Sequence, residues 1–157
     1  MMTSVSFGQT PYRVKRLGFG AMHLPGLASG KVDFALSTPL LRYAVEHGVN
    51  LSDSHHFYHD GESEEAIGKA IQGIPRDKII LQTKIGMYND YTEKACWKLL
   101  DLALKKMKTD YIDFYFVHSL RMADWRKYGK LFLRFTDKAL KGGKIRYGSN
   151  LSKTATA

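Results

Sequence analysis

Residues 78–118 read KIILQTKIGMYNDYTEKACWKLLDLALKKMKTDYIDFYFVH, and the order of patterns inside this stretch decides the architecture. Lys78–Lys84 is a short apolar run with β-branched residues, and a run of that length bounded by turn signals reads as a strand. Thr92 then opens a segment in which Cys96, Leu99, Leu100, Ala103 and Met107 recur at helical spacing. That is one apolar helix face, with Thr92 as the N-cap. Tyr111–His118 returns to an aromatic and β-branched strand pattern. Strand, helix and strand in that order form a βαβ unit with parallel strands.

The same alternation continues on both sides. Downstream, a basic helix runs from about Tyr128 to Leu140, Gly142-Gly143 ends it, and Lys144–Gly148 reads as a strand. Upstream, Ser63 is placed as the cap of a helix with Glu64 and Glu65 in its first turn and Ile67, Ala70 and Ile71 on its inner face. Before it, Val49–Ser52 is a strand, and Ser37 is placed as the cap of a helix presenting Leu40, Leu41, Ala44 and Val45 and stopped by Gly48. Loop signals fill Leu24–Lys31, Arg16–Ala21 supplies the first barrel-type strand, and Val5–Val14, broken at Gly8–Pro11, reads as a small hairpin.

The expected class is therefore α/β. The expected fold is a parallel (β/α) barrel of TIM type, truncated after about five strands and four helices, with an N-terminal hairpin, as one incomplete domain over residues 1–157. Closed barrels of this kind take about 250 residues and seldom fewer than about 200. Open edges on the first and fifth strands are thus expected, with self-association through them as a consequence. Leu17, Phe19, Phe114 and Phe116 are expected to face inward without the side chains that fill the far half of a barrel.

Composition narrows the function classes. With 44% hydrophobic residues over 157 positions, the chain suits one domain with a real core. No apolar run approaches the roughly 18 residues of a membrane span. The opening MMTSVSFGQTPYRVKR lacks the apolar stretch of a secretory signal. No membrane partner and a cytoplasmic location are expected. Cys96 is the single cysteine, so it forms no internal disulfide or cysteine-based metal site, and core packing is its expected role. The net charge is +9, and eight Lys or Arg lie between Arg126 and Arg146 against Asp137. They interleave with Leu131, Phe132, Phe135 and Ala139 at helical spacing, which makes them a solvated helix face in preference to a nucleic-acid surface.

In barrels of this type, chemistry sits where strands end at their C-terminal side. Three apolar runs end in ionisable groups: Asp53, Lys84 and His118. Tyr58 lies five residues beyond Asp53 in the adjoining loop. Taken singly, each has an ordinary structural role, as a cap, a loop aromatic, a solvated strand end or a core histidine; their coincidence on one rim points to a site.

These segments resemble the aldo-keto reductases. RLGFGAM (16–22) resembles the family's first-strand motif. NLSDSHHFY (50–58) followed by GESEEAIGKAI (61–71) resembles its Asp-x-x-x-x-Tyr signature and the helix after it. LQTK (81–84), TDYIDFYFVH (109–118) and GGKIRYGSN (142–150) are similar to the lysine, histidine and fifth-strand motifs. YHDGESEE, with HSL after the fourth strand and Trp125 in the next loop, looks closest to a microbial branch whose members often carry a ferredoxin-like extension.

The resemblance implies reduction of a small-molecule carbonyl substrate by hydride from NADPH. Tyr58 would donate the proton and Lys84 would tune it, because a free phenol, which titrates near pH 10, is a poor acid at neutrality unless a cation stabilises phenolate. Asp53 would hold Lys84, and His118 would orient the carbonyl. Cofactor contacts would come from Gly20, Ala21, Met22, Asp53, Ser149 and Asn150. In a complete family member, later strands carry the loops that bind the cofactor's phosphates, so weak binding is expected from this chain by itself.

Two other readings remain open at this point. His55, His56, His59 and Asp60 crowd one loop, and such clusters can bind metal; their spacing matches no tight site, so no metal is expected. A non-enzymatic reading has the chain as a truncated product or pseudoenzyme fragment that requires a complementary half.

Overall fold

The structure, a computed structural model, describes residues 3–86 and 91–148. Its frame is a five-stranded parallel sheet in chain order: β3 (Phe19–Gly20), β4 (Leu51–Asp53), β5 (Ile80–Ile85), β6 (Ile112–Val117) and β7 (Ile145–Gly148). Helices α1 (Phe34–Glu46), α2 (Glu62–Ala70), α3 (Glu93–Met107) and α4 (Met122–Lys141) connect successive strands. β1 (Ser4–Ser6) and β2 (Arg13–Lys15) form a separate antiparallel hairpin. The expected strand and helix order is the one observed, with a hairpin in front.

Alternation along β5 shows how the sheet divides its residues. Leu81 and Ile85 join the core beneath the helices, together with Cys96, Leu100 and Met107 of α3 and Phe132, Phe135 and Ala139 of α4. Ile80 faces the other way and packs with Val14 and Phe114. Phe114 was expected to lie bare on the inner face; it is 3% exposed, because the hairpin covers it. The Phe7 ring stands edge-on to Phe114 at 4.7 Å, and the Tyr12 ring does so at 5.4 Å. Leu17, by contrast, is 59% exposed and Phe19 packs against the main core.

Under the same end, Asp113 is buried and accepts from Tyr12 Oη (2.7 Å), Arg76 Nη2 (2.6 Å) and the Leu81 N–H (2.8 Å). A hairpin residue, a residue of the turn before β5 and a strand backbone thus meet on one carboxylate.

Several element starts differ from the sequence reading. α1 is capped by Asp33, whose carboxylate accepts from Ala35 and Leu36, and Ser37 is buried inside the helix donating to the Pro25 carbonyl. Pro39 explains the misplacement: proline is tolerated in a first turn, so a start at Ser37 accommodates it, whereas in the structure it lies inside the helix. Ser63 does not cap α2 either; Gly61, with φ 84°, occupies that position, and Ser63 donates to the Ala21 carbonyl at 2.7 Å. α4 begins at Met122, so Trp125 is helical and lies against Gly129 instead of standing in a loop. No side-chain cap marks that start, which left it invisible in the pattern. The first barrel strand is short, Phe19–Gly20. Thr92 does cap α3, accepting from Ala95 at 3.1 Å.

The exposed face of α4 carries Arg126, Lys127, Lys130, Arg134, Lys138 and Lys141, as a solvated face would. Arg134 and Lys138 pair with Glu93 of α3. Among the described residues no helix is long and apolar enough to cross a membrane.

Candidate active site

The parallel register delivers the rim residues to one end of the sheet. Gly20 of β3 pairs with Asp53 of β4, Asp53 with Gln82 of β5, and Lys84 of β5 with Phe116 of β6. His118 follows β6 directly, and its backbone N–H donates to Ile85 at 2.7 Å. Alternation turns Gln82 and Lys84 to the same face as Asp53, while Thr83 turns to the helices.

Lys84 Nζ donates to both Asp53 oxygens at 2.6 Å and to the Ser54 carbonyl at 3.0 Å. Gln82 Nε2 also donates to Asp53, at 2.5 Å. With three donors on Asp53 and Ser54 and a partly buried setting, the ammonium is held in one place. It lies 5.6 Å from the centre of the Tyr58 ring, and the Tyr58 and His118 rings are 6.2 Å apart and nearly perpendicular. Asp53, Tyr58, Lys84 and His118, inferred separately from strand ends and a loop, therefore stand together.

The Tyr58 loop is held by unusual backbone. His59, Asp60 and Gly61 all have positive φ, at 50°, 54° and 84°, a region sparsely populated by residues other than glycine. The surrounding contacts hold this conformation in place. His59 Nδ1 donates to the Gly30 carbonyl at 3.0 Å, and Glu62 accepts from the Val32 N–H at 2.8 Å. Both partners belong to the loop before α1, so two rim loops are tied to each other.

Three imidazoles line the floor. His56 Nδ1 faces the Lys84 carbonyl at 3.3 Å and must carry its proton there. His55 Nδ1 accepts from the Phe57 N–H at 3.3 Å, which places its proton on Nε2. Burial pushes the pKa of His55 down to about 3, with the positive charges that His56, His118 and Lys84 carry or would carry acting in the same sense. Burial also lowers His56, and the hydrogen bond to Lys84 opposes it. His118 is lowered by burial and then by Lys84, with Asp53 opposing. All three shifts favour the neutral ring, and a neutral His118 can hydrogen-bond a carbonyl oxygen without adding a charge. Among the described residues no three of His, Cys, Asp and Glu converge as a group able to hold a metal.

Behind the sheet, Glu64 is fully buried and accepts from Thr83 Oγ1 at 2.8 Å, and burial raises its pKa. Sequence reading assigned Glu64 only to the helix dipole and did not find Gln82 at all. Gln82 was legible in principle, since it lies two residues before Lys84 on the same strand face.

The residues expected to meet a cofactor fall in different settings. Gly20 is exposed at the sheet end, and a Cβ there would meet no atom within 4 Å, so the floor beside Asp53 is open to a flat ring. Ala21 is buried and its carbonyl is taken by Ser63, whereas the Met22 side chain is 53% exposed. Ser149 and Asn150 lie outside the described residues.

Comparison with known proteins bears on the family and the fold. The model of the aldo/keto reductase family matches residues 16–150. Aldo-keto reductase YhdN of Bacillus subtilis is 32% identical over 125 residues, 74% of this chain and 38% of that protein. Aldo-keto reductase AKR11C1 from Bacillus halodurans, in its holo form, superposes with a TM-score of 0.80 at 26% identity, covering 94% of this chain and 50% of that one. An aldo-keto reductase from Klebsiella pneumoniae in complex with NADPH superposes with a TM-score of 0.75 at 26% identity, over 98% of this chain and 51% of that one. The chain thus spans from 38% to about half of the length of these relatives.

Proposed function

The chain belongs to the aldo/keto reductase family, and we propose that it contributes the catalytic rim of an NADPH-dependent reductase that converts a small-molecule carbonyl to an alcohol. The observation that carries this reading is the Asp53–Lys84 pair, held at 2.6 Å with the ammonium 5.6 Å from the Tyr58 ring. When bound, the dihydronicotinamide supplies the hydride that reduces the carbonyl carbon. The open floor at Gly20 and Asp53 fits the flat nicotinamide end, and Met22 offers an exposed apolar side chain beside it.

The chain's own residues then handle the oxygen. Tyr58 donates its hydroxyl proton to the developing alkoxide, and the phenolate left behind is stabilised by the nearby Lys84 ammonium. Asp53, Gln82 and the Ser54 carbonyl keep that ammonium from swinging to solvent. Neutral His118 donates a hydrogen bond to the carbonyl oxygen and fixes which face of the carbonyl is presented. The loop clamp of His59 on Gly30 keeps Tyr58 over the pair.

We assign residues 1–157 to one incomplete barrel domain, and a complementary set of strands completes the cofactor site. The test uses a polypeptide with the complete barrel: oxidation of NADPH in the presence of an aldehyde is followed with wild type and Tyr58→Phe. Loss of about 10²- to 10⁴-fold in kcat is expected on removing a general acid. Near wild-type turnover by Tyr58→Phe would overturn the assignment. The alternative, a non-enzymatic truncated product or pseudoenzyme fragment that requires a complementary half, draws on the partial span and predicts no NADPH turnover even by the complete barrel.

A further inference from the structure

We infer that His55 is a positioning residue that holds the rings of His118 and Tyr58 at their mutual spacing; the inference rests on the roles proposed above for those two residues. His55 is 1% exposed and packs against both rings. Its ring centre lies 4.2 Å from that of His118, tilted by 32°, and 5.2 Å from that of Tyr58. One side chain therefore touches both residues that would handle the carbonyl oxygen.

Rotation of an imidazole about its terminal torsion is soft, so the His118 ring needs a face against which to settle. The His55 ring supplies that face. His55 is itself restrained by burial, at 1% exposure, and Nδ1 also accepts the Phe57 N–H at 3.3 Å. Gly86 makes room for the arrangement: a Cβ there would lie 2.5 Å from His55 Nε2 and 3.2 Å from His118 Cβ. Any larger residue at 86 has to push the His55 imidazole from its place beside His118.

Of the two ring nitrogens, Nδ1 is engaged by the Phe57 N–H, and Nε2 makes no bond that the described residues reveal. Nε2 is also buried, an arrangement that costs stability relative to an apolar ring. Burial also holds the ring neutral, so His55 adds no charge beside Lys84. The ring face against His118 and Tyr58 is what the position uses, so Phe, which keeps that face and gives up only the 3.3 Å bond to the Phe57 N–H, is the conservative replacement and Ala the disruptive one.

The experiment observes His118 directly. Imidazole nitrogen and carbon shifts of His118 are followed by heteronuclear NMR against pH in wild type, His55→Ala, His55→Phe and Gly86→Ala. The titratable groups near His118 (Lys84, Asp53, Tyr58, His55 and His56) are the same in all but the substituted position. In His55→Ala and Gly86→Ala the His118 shifts are expected to move toward those of an averaged ring, and in His55→Phe to stay with wild type. With a complete barrel, His55→Ala should lower kcat by up to about 10²-fold, the loss that a small misplacement of a reacting group can cause. Carbonyl KM should change far less, and His55→Phe should restore most of the rate. Unchanged His118 shifts in His55→Ala would overturn the inference, as would His55→Phe behaving like His55→Ala. Should His55→Ala not fold, the Phe and Gly86→Ala variants still decide between these outcomes. If wild type showed no reductase activity the proposed function would fail, while the NMR comparison would still test the placement of His118.

Discussion

Replacing Asp113 by Ala should be among the most damaging single changes in this chain, although Asp113 lies far from the candidate site. Its carboxylate is 1% exposed and takes donors from Tyr12, Arg76 and the Leu81 backbone at 2.6–2.8 Å. Removing one partner of a buried ion pair typically costs about 3–5 kcal/mol. Arg76 keeps bonds to Thr109, Ile79 and Tyr111 and stacks on the Tyr111 ring, so its charge is not stranded. The buried Leu81 N–H loses its carboxylate acceptor, and a buried donor left unmet costs about 1–3 kcal/mol. We expect about 4 kcal/mol for Asp113→Ala. At roughly 2–4 °C per kcal/mol for a domain of this size, Tm should fall by about 8–16 °C. Tyr12→Phe removes one hydrogen bond to a charged acceptor and should cost about 2 kcal/mol. Urea and thermal unfolding of both single variants and the double variant form a cycle, in which the pair should show coupling of at least about 1 kcal/mol. Salt should change this little, since buried pairs are poorly screened. A cost for Asp113→Ala under about 1 kcal/mol, or a cycle with no coupling, would refute the view that this carboxylate ties the hairpin to the sheet.

Gly68→Ala should destabilise by about 1–3 kcal/mol or more, because a Cβ there would lie 2.2 Å from the Lys106 carbonyl oxygen and 2.8 Å from Met107 Cα, both backbone atoms of α3 that cannot swing away; unfolding within error of wild type would contradict the close α2–α3 approach. Stability should fall on acidification: His55 titrates at about 3 when folded against about 6.5 when unfolded. The unfolded chain therefore binds the extra proton. The contribution is complete above pH 6.5 and drains away as pH falls toward 3, by about 2 kcal/mol at pH 5. Unfolding curves of wild type and His55→Phe across pH 7 to about 5 check the sign, and equal pH slopes would refute it. The 157-residue chain studied alone should associate as salt rises, because β3 and β7 each pair on one side only among the described residues and the net charge of +9 is screened; a concentration-independent 17.8 kDa species in light scattering would argue otherwise. Low-micromolar NADPH binding by that same chain, measured by fluorescence titration, would contradict the expectation that phosphate contacts come from further strands.

Local pattern was enough to place the parallel strands, the helices between them and the polar residue ending each strand, because hydrophobic period and turn residues are properties of short segments. Asp53, Lys84 and His118 were legible for that reason, and Thr92 as a cap likewise. Starts set by distant partners were not legible. Ser63 looks like a cap but bonds to the Ala21 carbonyl across the rim, and Asp33 took the role assigned to Ser37. Phe114 reads as a bare inner-face residue until the hairpin is folded beneath it. The spacing of Tyr58 from Lys84 goes with three successive positive-φ residues, two of them not glycine, that contacts to the loop before α1 hold in place. Most of all, the neighbours His55, Gly86 and His118 meet only when the ends of three strands are brought side by side. Sequence by itself determined which residues could act; strand register, loop clamping and burial, which are long-range and cooperative, decided which of them touch and in what state of charge.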